Sequence, residues 1–352
     1  MYSNVDIFLN LEQAIERGLQ YLAEEQLATG EFKSYRSTDP LMKEDCVFDS
    51  SPFPTALIVF SLSFSNSIVA RKMTVLATKF LLSEMEKHGI WRYWSAAHPY
   101  HKSIPPDLDD IACVSAVFKQ NNISFPDNRK IILANRNSDG LFYTWIVPRI
   151  KLPGSLTYLK VVFKEALKPA RLYFFWKHNE SEPNDIDAVV NSNVLFYLGN
   201  RQETKPVIDY LINIIRNNKE EGCDKWHLSP LNLQYFLSKN YLAGIFEFEM
   251  IREVSIDKLL TGTYLVSKDK SNILEIALCA CALMNWNCPA DKIYPFIEKI
   301  LNQQEHAGSW PIFPFYYGGP KKYYGWGSPE MTTAFCLEAS MRYRELIKGK
   351  SS

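Results

Sequence analysis

Asp107, Asp109 and Asp110 stand close together in the stretch Pro105-Pro106-Asp107-Leu108-Asp109-Asp110-Ile111-Ala112-Cys113. Pro is favoured at the first helical positions, and Asp caps a helix and meets its dipole there. The positions that follow, Ile111, Ala112, Val114, Ala116, Val117 and Phe118, are almost wholly apolar, so the acids open a helix that is otherwise buried. Asp107 and Asp110 are three apart and share a face, with Asp109 beside them. Carboxyls this close repel, and in a dry site one of them keeps its proton and can act as an acid. The helix dipole opposes this by favouring the charged form. Two readings stay open at this level: an acidic cap on a core helix, and a general-acid site.

The elements that must position these acids follow a repeat. An amphipathic helix leads into a loop rich in Pro, Ser, Asp or aromatics, and a smoother apolar helix then begins. Smooth helices start near Pro52, Pro106, Pro183-Asn184-Asp185, Ser229-Pro230, Ser271-Asn272 and Ser328-Pro329. Their charged partners span roughly 11–26, 68–87, 127–135, 203–218, 248–261 and 290–304, the third being short. Six such pairs predict a helical-hairpin repeat, with smooth faces inside and charged faces outside. A ring of six inner and six outer helices buries the ends that a linear solenoid would expose. The expected fold is therefore all-α, an α/α toroid forming a single domain over 1–352. Asp187 and Asn191, four apart at the head of the third inner helix, share a face. They either hold substrate or a terminating water, or serve as caps and inter-helix bonds.

With 352 residues, 47% of them hydrophobic, the chain can bury a large core. Its net charge is zero and it lacks the basic footprint of a nucleic-acid partner. Seven cysteines are an odd number, and Cys113, Cys279, Cys281 and Cys336 lie in apolar helical patterns, which predicts reduced core residues and a cytoplasmic protein. Met1 to Asn10 has no basic start or long apolar run of a leader, and no stretch has the length of a membrane span. One segment stands out, a basic and apolar insertion at about 149–178. There Lys151, Lys160, Lys164, Lys168, Arg171 and Lys177 interleave with residues such as Leu159, Phe163, Leu167, Phe174 and Trp176. Such a segment suits peripheral contact with the inner face of a membrane, a lid over the cavity, or a partner-binding face.

Gln304-Glu305-His306-Ala307-Gly308-Ser309-Trp310 echoes Gln26-Leu27-Ala28-Thr29-Gly30-Glu31-Phe32: Gln at the end of an outer helix, then Gly, then an aromatic two positions on. These turns resemble the QW repeats of squalene–hopene and oxidosqualene cyclases. Asp107-Leu108-Asp109-Asp110 resembles the DxDD motif of class II terpene cyclases, and the hairpin count resembles the α/α toroid they share with prenyltransferase β subunits. Phe32 replaces the usual Trp in the first turn. The resemblance implies an isomerase-type cyclase of terpenoid biosynthesis. Asp109 would protonate an isoprenoid, either a prenyl diphosphate or a squalene-type chain, and Asp107 and Asp110 would tune it. The carbocation would be stabilised by aromatic faces, which also exclude water. Trp91, Trp94, Tyr143, Trp145, Tyr323, Tyr324 and Trp326 sit in loops at inner-helix heads. Of these, Trp94, Trp145, Tyr324 and Trp326, together with Asp187 and Asn191, are the expected substrate-binding residues.

No metal site is expected. The histidines are scattered, Cys223, Asp224 and His227 lie in one segment, and no DDxxD-like cluster is present. Mg²⁺ enters only as a companion of a diphosphate substrate. Class II cyclases usually have two helical domains and this chain has length for one, so a homodimer or partner domain could complete the cavity. Two other readings are a toroid that binds lipid or protein without chemistry, and a transferase of the prenyltransferase β type.

Overall fold

The computed structural model describes residues 4–149, 155–264 and 272–349. Lys151 of the insertion and Ser271 of the fifth inner-helix start lie outside the described residues. Fourteen α-helices are seen in them: α1 (Asn4–Glu25), α2 (Pro52–Leu62), α3 (Ile68–Ser83), α4 (Leu108–Gln120), α5 (Arg129–Ala134), α6 (Leu156–Ala166), α7 (Pro169–Asn179), α8 (Ala188–Leu198), α9 (Lys205–Arg216), α10 (Pro230–Leu242), α11 (Glu249–Leu260), α12 (Ile273–Asn285), α13 (Ala290–Asn302) and α14 (Pro329–Lys348).

The six smooth helices are α2, α4, α8, α10, α12 and α14. Each packs on the next in that order, and α14 packs back on α2, so the inner ring is closed. Every residue of α2 and of α12 is buried, and fully burying one Leu, Ile, Val or Phe side chain stabilises by roughly 1.5–3 kcal/mol. The starts are capped as their residue types dictate. Ser51, Ser229 and Ser328 precede Pro-led helices and accept backbone N–H bonds, and Asn272 and Asp107 do the same for α12 and α4. The outer layer is α1, α3, α5, α9, α11 and α13. It is amphipathic, as α9 shows: Val207, Ile208, Leu211, Ile212, Ile214 and Ile215 are buried while its charged residues face out.

Gly30 and Gly308 both have φ +94°. A Cβ at either would lie within 2.1 Å of the Leu76 carbonyl oxygen or 2.5 Å of the Arg17 carbonyl oxygen, so only glycine fits. Gln26 Nε2 donates to the carbonyls of Gly30 and of Met73 on α3, while Gln304 Nε2 donates to those of Gly308 and of Ala14 on α1. The last outer helix is thereby tied to the first. Two further turns have the same frame without the glutamine. The backbone bonds Glu86 N–H to Ile90 and Asn137 N–H to Leu141 match Leu27 to Glu31 and Glu305 to Ser309, and Trp91 and Phe142 follow Gly89 and Gly140 at the same spacing. Met85 and Arg136 stand where Gln would be, which hid the repeat from the sequence.

Strands were not expected. A small antiparallel sheet, β1 (Tyr35–Ser37), β2 (Val47–Phe48), β3 (Tyr316–Gly318) and β4 (Tyr324–Gly327), has the order β2-β1-β4-β3. Tyr35 pairs with Gly327 and Arg36 with Trp326, so the loops before α2 and α14 are joined over one end of the ring.

Two buried acids at that end carry a pH dependence. Glu31 and Glu330 are pushed up to about 7, chiefly by burial. Their folded values exceed the unfolded value of about 4.3, so the native state binds more protons between the two. The stability they hold is present at acid pH and is lost as pH rises toward and past 7. The melting temperature is therefore expected to fall between pH 5.5 and 8. Glu330→Gln should flatten that slope, and an unchanged slope would contradict the assignment.

Candidate active site

The three acids line a cavity of about 70 Å³ inside the ring. Asp107 caps α4, and its Oδ1 accepts from the Asp109 backbone N–H at 2.8 Å. Asp109 and Asp110 sit in the first turn, 7% and 1% exposed. All three line the cavity. Burial, then the neighbouring carboxyls, pushes Asp107 and Asp110 well above the ordinary carboxylate range. For these two acids desolvation and mutual repulsion favour the protonated form and outweigh the helix dipole. Asp110 Oδ1 is buried without a hydrogen-bond partner.

Two residues that the sequence reading missed address Asp109. Asn193 of α8 donates from Nδ2 to Asp109 Oδ1 at 2.7 Å. His227 Nε2 lies 3.6 Å from Oδ2, longer than a hydrogen bond. Asn232 Nδ2 contacts both His227 Nδ1 at 2.9 Å and the Phe315 carbonyl at 2.6 Å. That carbonyl requires an N–H, so His227 Nδ1 accepts from Asn232 and Nε2–H is turned toward Asp109. Burial disfavours the imidazolium, but Asp109 and Asp224 outweigh it and raise the His227 pKa above its usual value. Asp224 is itself held by the backbone N–H groups of Val189, Trp226 and His227. In sequence His227 sat in a segment weighed only for metal ligands. Its approach to Asp109 crosses three hairpins, which spacing along the chain does not reveal.

Most of the rest of the wall is aromatic. Trp94, Trp145 and Trp326 line the cavity, as do Phe53, Trp226 and Tyr316. Asp49 Oδ2 accepts from the indole N–H groups of both Trp94 (3.2 Å) and Trp326 (2.5 Å), and His98 stacks on Trp94 with ring centroids 5.0 Å apart. Two loops distant in sequence thereby present their ring faces together. Phe175 and Asn179 close the cavity from α7, so part of the insertion is cavity wall.

Asp187, Asn191 and Tyr324 are not among the lining residues. Asn191 accepts from the Phe142 N–H and donates to its carbonyl, the place that Thr55 and Thr333 fill for Phe32 and Trp310. It pins a turn to an inner helix. Asp187 accepts from Thr144 Oγ1 at 2.6 Å and from the Lys225 N–H at 2.9 Å, and burial beside Asp224 pushes it up to about 7. It acts one layer behind the wall, where Thr144 stands. Tyr324, half-buried beside Trp326, lies under the Arg36 guanidinium, 4.7 Å from its ring centre. Trp91 is consumed by its turn, donating to the Leu81 carbonyl, and Tyr143 stacks with Arg149 at 3.9 Å. Among the described residues no three His, Cys, Asp or Glu side chains are grouped to hold a metal ion. Among the same residues no helix is long and apolar enough to cross a membrane.

No family model and no curated protein matches the sequence. Solved structures do. A protein from Actinoplanes superposes with a TM-score of 0.67 at 16% identity, covering 95% of this chain and 99% of its own. The type II terpene cyclase MstE from Scytonema gives 0.69 at 12% identity, with coverages of 96% and 99%. An MstE variant in complex with geranylgeranyl dihydroxybenzoate, its substrate, gives 0.70 at 12% identity, with coverages of 97% and 99%. The likeness runs the whole length of both chains, and the chain has the all-α fold of a type II terpene cyclase.

Proposed function

We propose that the chain is a terpene cyclase of the class II type that protonates an isoprenoid with Asp109 and releases a cyclised isomer. The observation that carries this is the three-carboxyl cluster, with Asp109 and Asp110 buried, in a cavity walled largely by aromatic rings. Asp109 Oδ1 is engaged by Asn193, which leaves Oδ2 to carry the proton. Burial beside one another favours the protonated forms of Asp107 and Asp110. As the proton passes to an alkene, negative charge grows on Oδ2. His227 Nε2–H then closes the 3.6 Å gap and stabilises the carboxylate. The cation is left among Phe53, Trp94, Tyr316 and Trp326, whose faces attract it and keep water away. Loss of a proton ends the sequence, and the net change is an isomerisation with any diphosphate retained. The solved complexes of MstE with an isoprenoid substrate, and with merosterolic acid A as product, support an isoprenoid ligand. A prenyl diphosphate and a squalene-type chain are the candidate classes, and Mg²⁺ would enter only as the partner of a diphosphate. The test is incubation with farnesyl, geranylgeranyl and longer diphosphates and with squalene, followed by mass spectrometry. A new compound of unchanged mass is expected, and its absence from every substrate would overturn the reading.

The same reading takes the segment 149–178 as a peripheral membrane contact. On α6 and α7, Leu156, Phe163, Leu167, Tyr173 and Phe174 are 59–79% exposed, interleaved with Lys160, Lys164, Arg171 and Lys177. Apolar side chains among cations suit an anionic bilayer. The protein is expected to sediment with phosphatidylserine-containing vesicles, and Phe163→Ser with Phe174→Ser should weaken this by about tenfold. Equal sedimentation of the double variant would contradict the contact.

A further inference from the structure

Beside the acid cluster lies a second, smaller cavity of about 10 Å³. Cys113, Asn193, Phe196 and Lys239 are among its walls. Lys239 projects there from α10 and is 4% exposed. Among the described residues no carboxylate comes within 4.0 Å of its Nζ. Its neighbours are ring faces instead: Phe60 at 3.6 Å, Phe196 at 4.7 Å, and Tyr235 and Phe236 at 5.3 Å from the ring centres. Such a cage holds a cation in place without neutralising it. The Asn193 that lines this cavity is the residue that donates to Asp109 Oδ1. A lone buried cation costs stability, and a fold that keeps one directly behind its acid has an electrostatic use for it.

We propose that Lys239 is a positioning residue whose caged positive charge, acting through Asn193, stabilises the Asp109 carboxylate left after proton transfer. The inference rests on Asp109 being the acid. The charged and titratable groups that face Lys239 are Cys113 and Asp109 on α4 and Glu338 and Arg342 on α14, with Tyr235 on its own helix; α2 presents Ala56, Leu57 and Phe60 there, and α8 Asn193 and Phe196. Glu338 is itself engaged by Ser61, Tyr235 and Arg342. Burial lowers the pKa of Lys239 from its ordinary value, and Cys113, Glu338 and Asp109 oppose that.

The test is Lys239→Met, which keeps the length and removes the charge. With the prenyl substrate that the unaltered chain cyclises, kcat should fall about 10- to 100-fold with KM unchanged. The alkaline limb of the pH profile should move up by about one unit, because the carboxyls lose a stabilising cation. The melting temperature should hold or rise. A fall in kcat that merely tracks a lower melting temperature, with an unmoved pH profile, would overturn the proposal, as would unchanged kinetics. A second measurement needs no turnover. The infrared band of protonated carboxyls that disappears in Asp109→Asn should persist to higher pH in Lys239→Met, and coincident titrations would also overturn it. Activity surviving in Asp109→Asn would refute the acid assignment itself, a result separable from a wild-type Lys239→Met.

Discussion

Asp109→Asn abolishes product formation, by about 10⁴-fold or more in kcat, while the protein stays folded. The amide is isosteric and keeps an oxygen for Asn193, but it has no proton acidic enough for an alkene. A 10⁴-fold loss corresponds to about 5.5 kcal/mol of barrier, at the upper end of what a positioned general acid contributes. The substitution removes one carboxyl from a buried cluster whose members repel, so the melting temperature should hold or rise. Product analysis by gas chromatography–mass spectrometry beside thermal melts reads both. A folded variant with full activity would remove Asp109 from the mechanism.

His227→Gln is expected to lower kcat by about 10²-fold, with a smaller effect on KM. Before proton transfer Nε2 stands 3.6 Å from Oδ2, too far to bind tightly, so its contribution is made mainly as the carboxylate forms. An interaction realised only in the transition state lowers kcat when removed. The ring also packs against Phe53, Phe236 and Phe315, and glutamine leaves some of that contact unfilled. A melting curve therefore accompanies the kinetics. A rise in KM alone would mean that His227 serves substrate binding and not the acid.

Much of the architecture was legible because the inner and outer helices differ in kind. A helix buried all round, such as α2 or α12, cannot lie on a surface, and six of them alternating with amphipathic partners leave a ring as the compact solution. The head of α4 was legible because caps are local: Pro, then Asp at the cap, then two acids in the first turn. The companions of Asp109 were not. Asn193 reaches it from the neighbouring inner helix α8 and His227 from the loop before α10, and nothing along the chain sets polar residues there apart from ordinary inter-helix bonds. For Asn191 the structure favours the second of its two readings, inter-helix bonding. Its face and spacing were read correctly, but it replaces a threonine that pins a turn, a role visible only when Thr55 and Thr333 are seen in the same place. The sheet was hidden because its strands have two to four residues and pair across almost the whole sequence, Tyr35 with Gly327. That pairing holds Trp326 in the wall.

The most direct test of proton-initiated cyclisation is turnover in D₂O. Asp109 exchanges with solvent between turnovers, so the cyclised isomer formed in D₂O should carry one deuterium on the ring carbon that was protonated, as read by mass spectrometry and carbon NMR. A cyclised product without deuterium, or one formed only with loss of diphosphate, would contradict protonation by an enzyme acid and point to ionisation of the substrate instead.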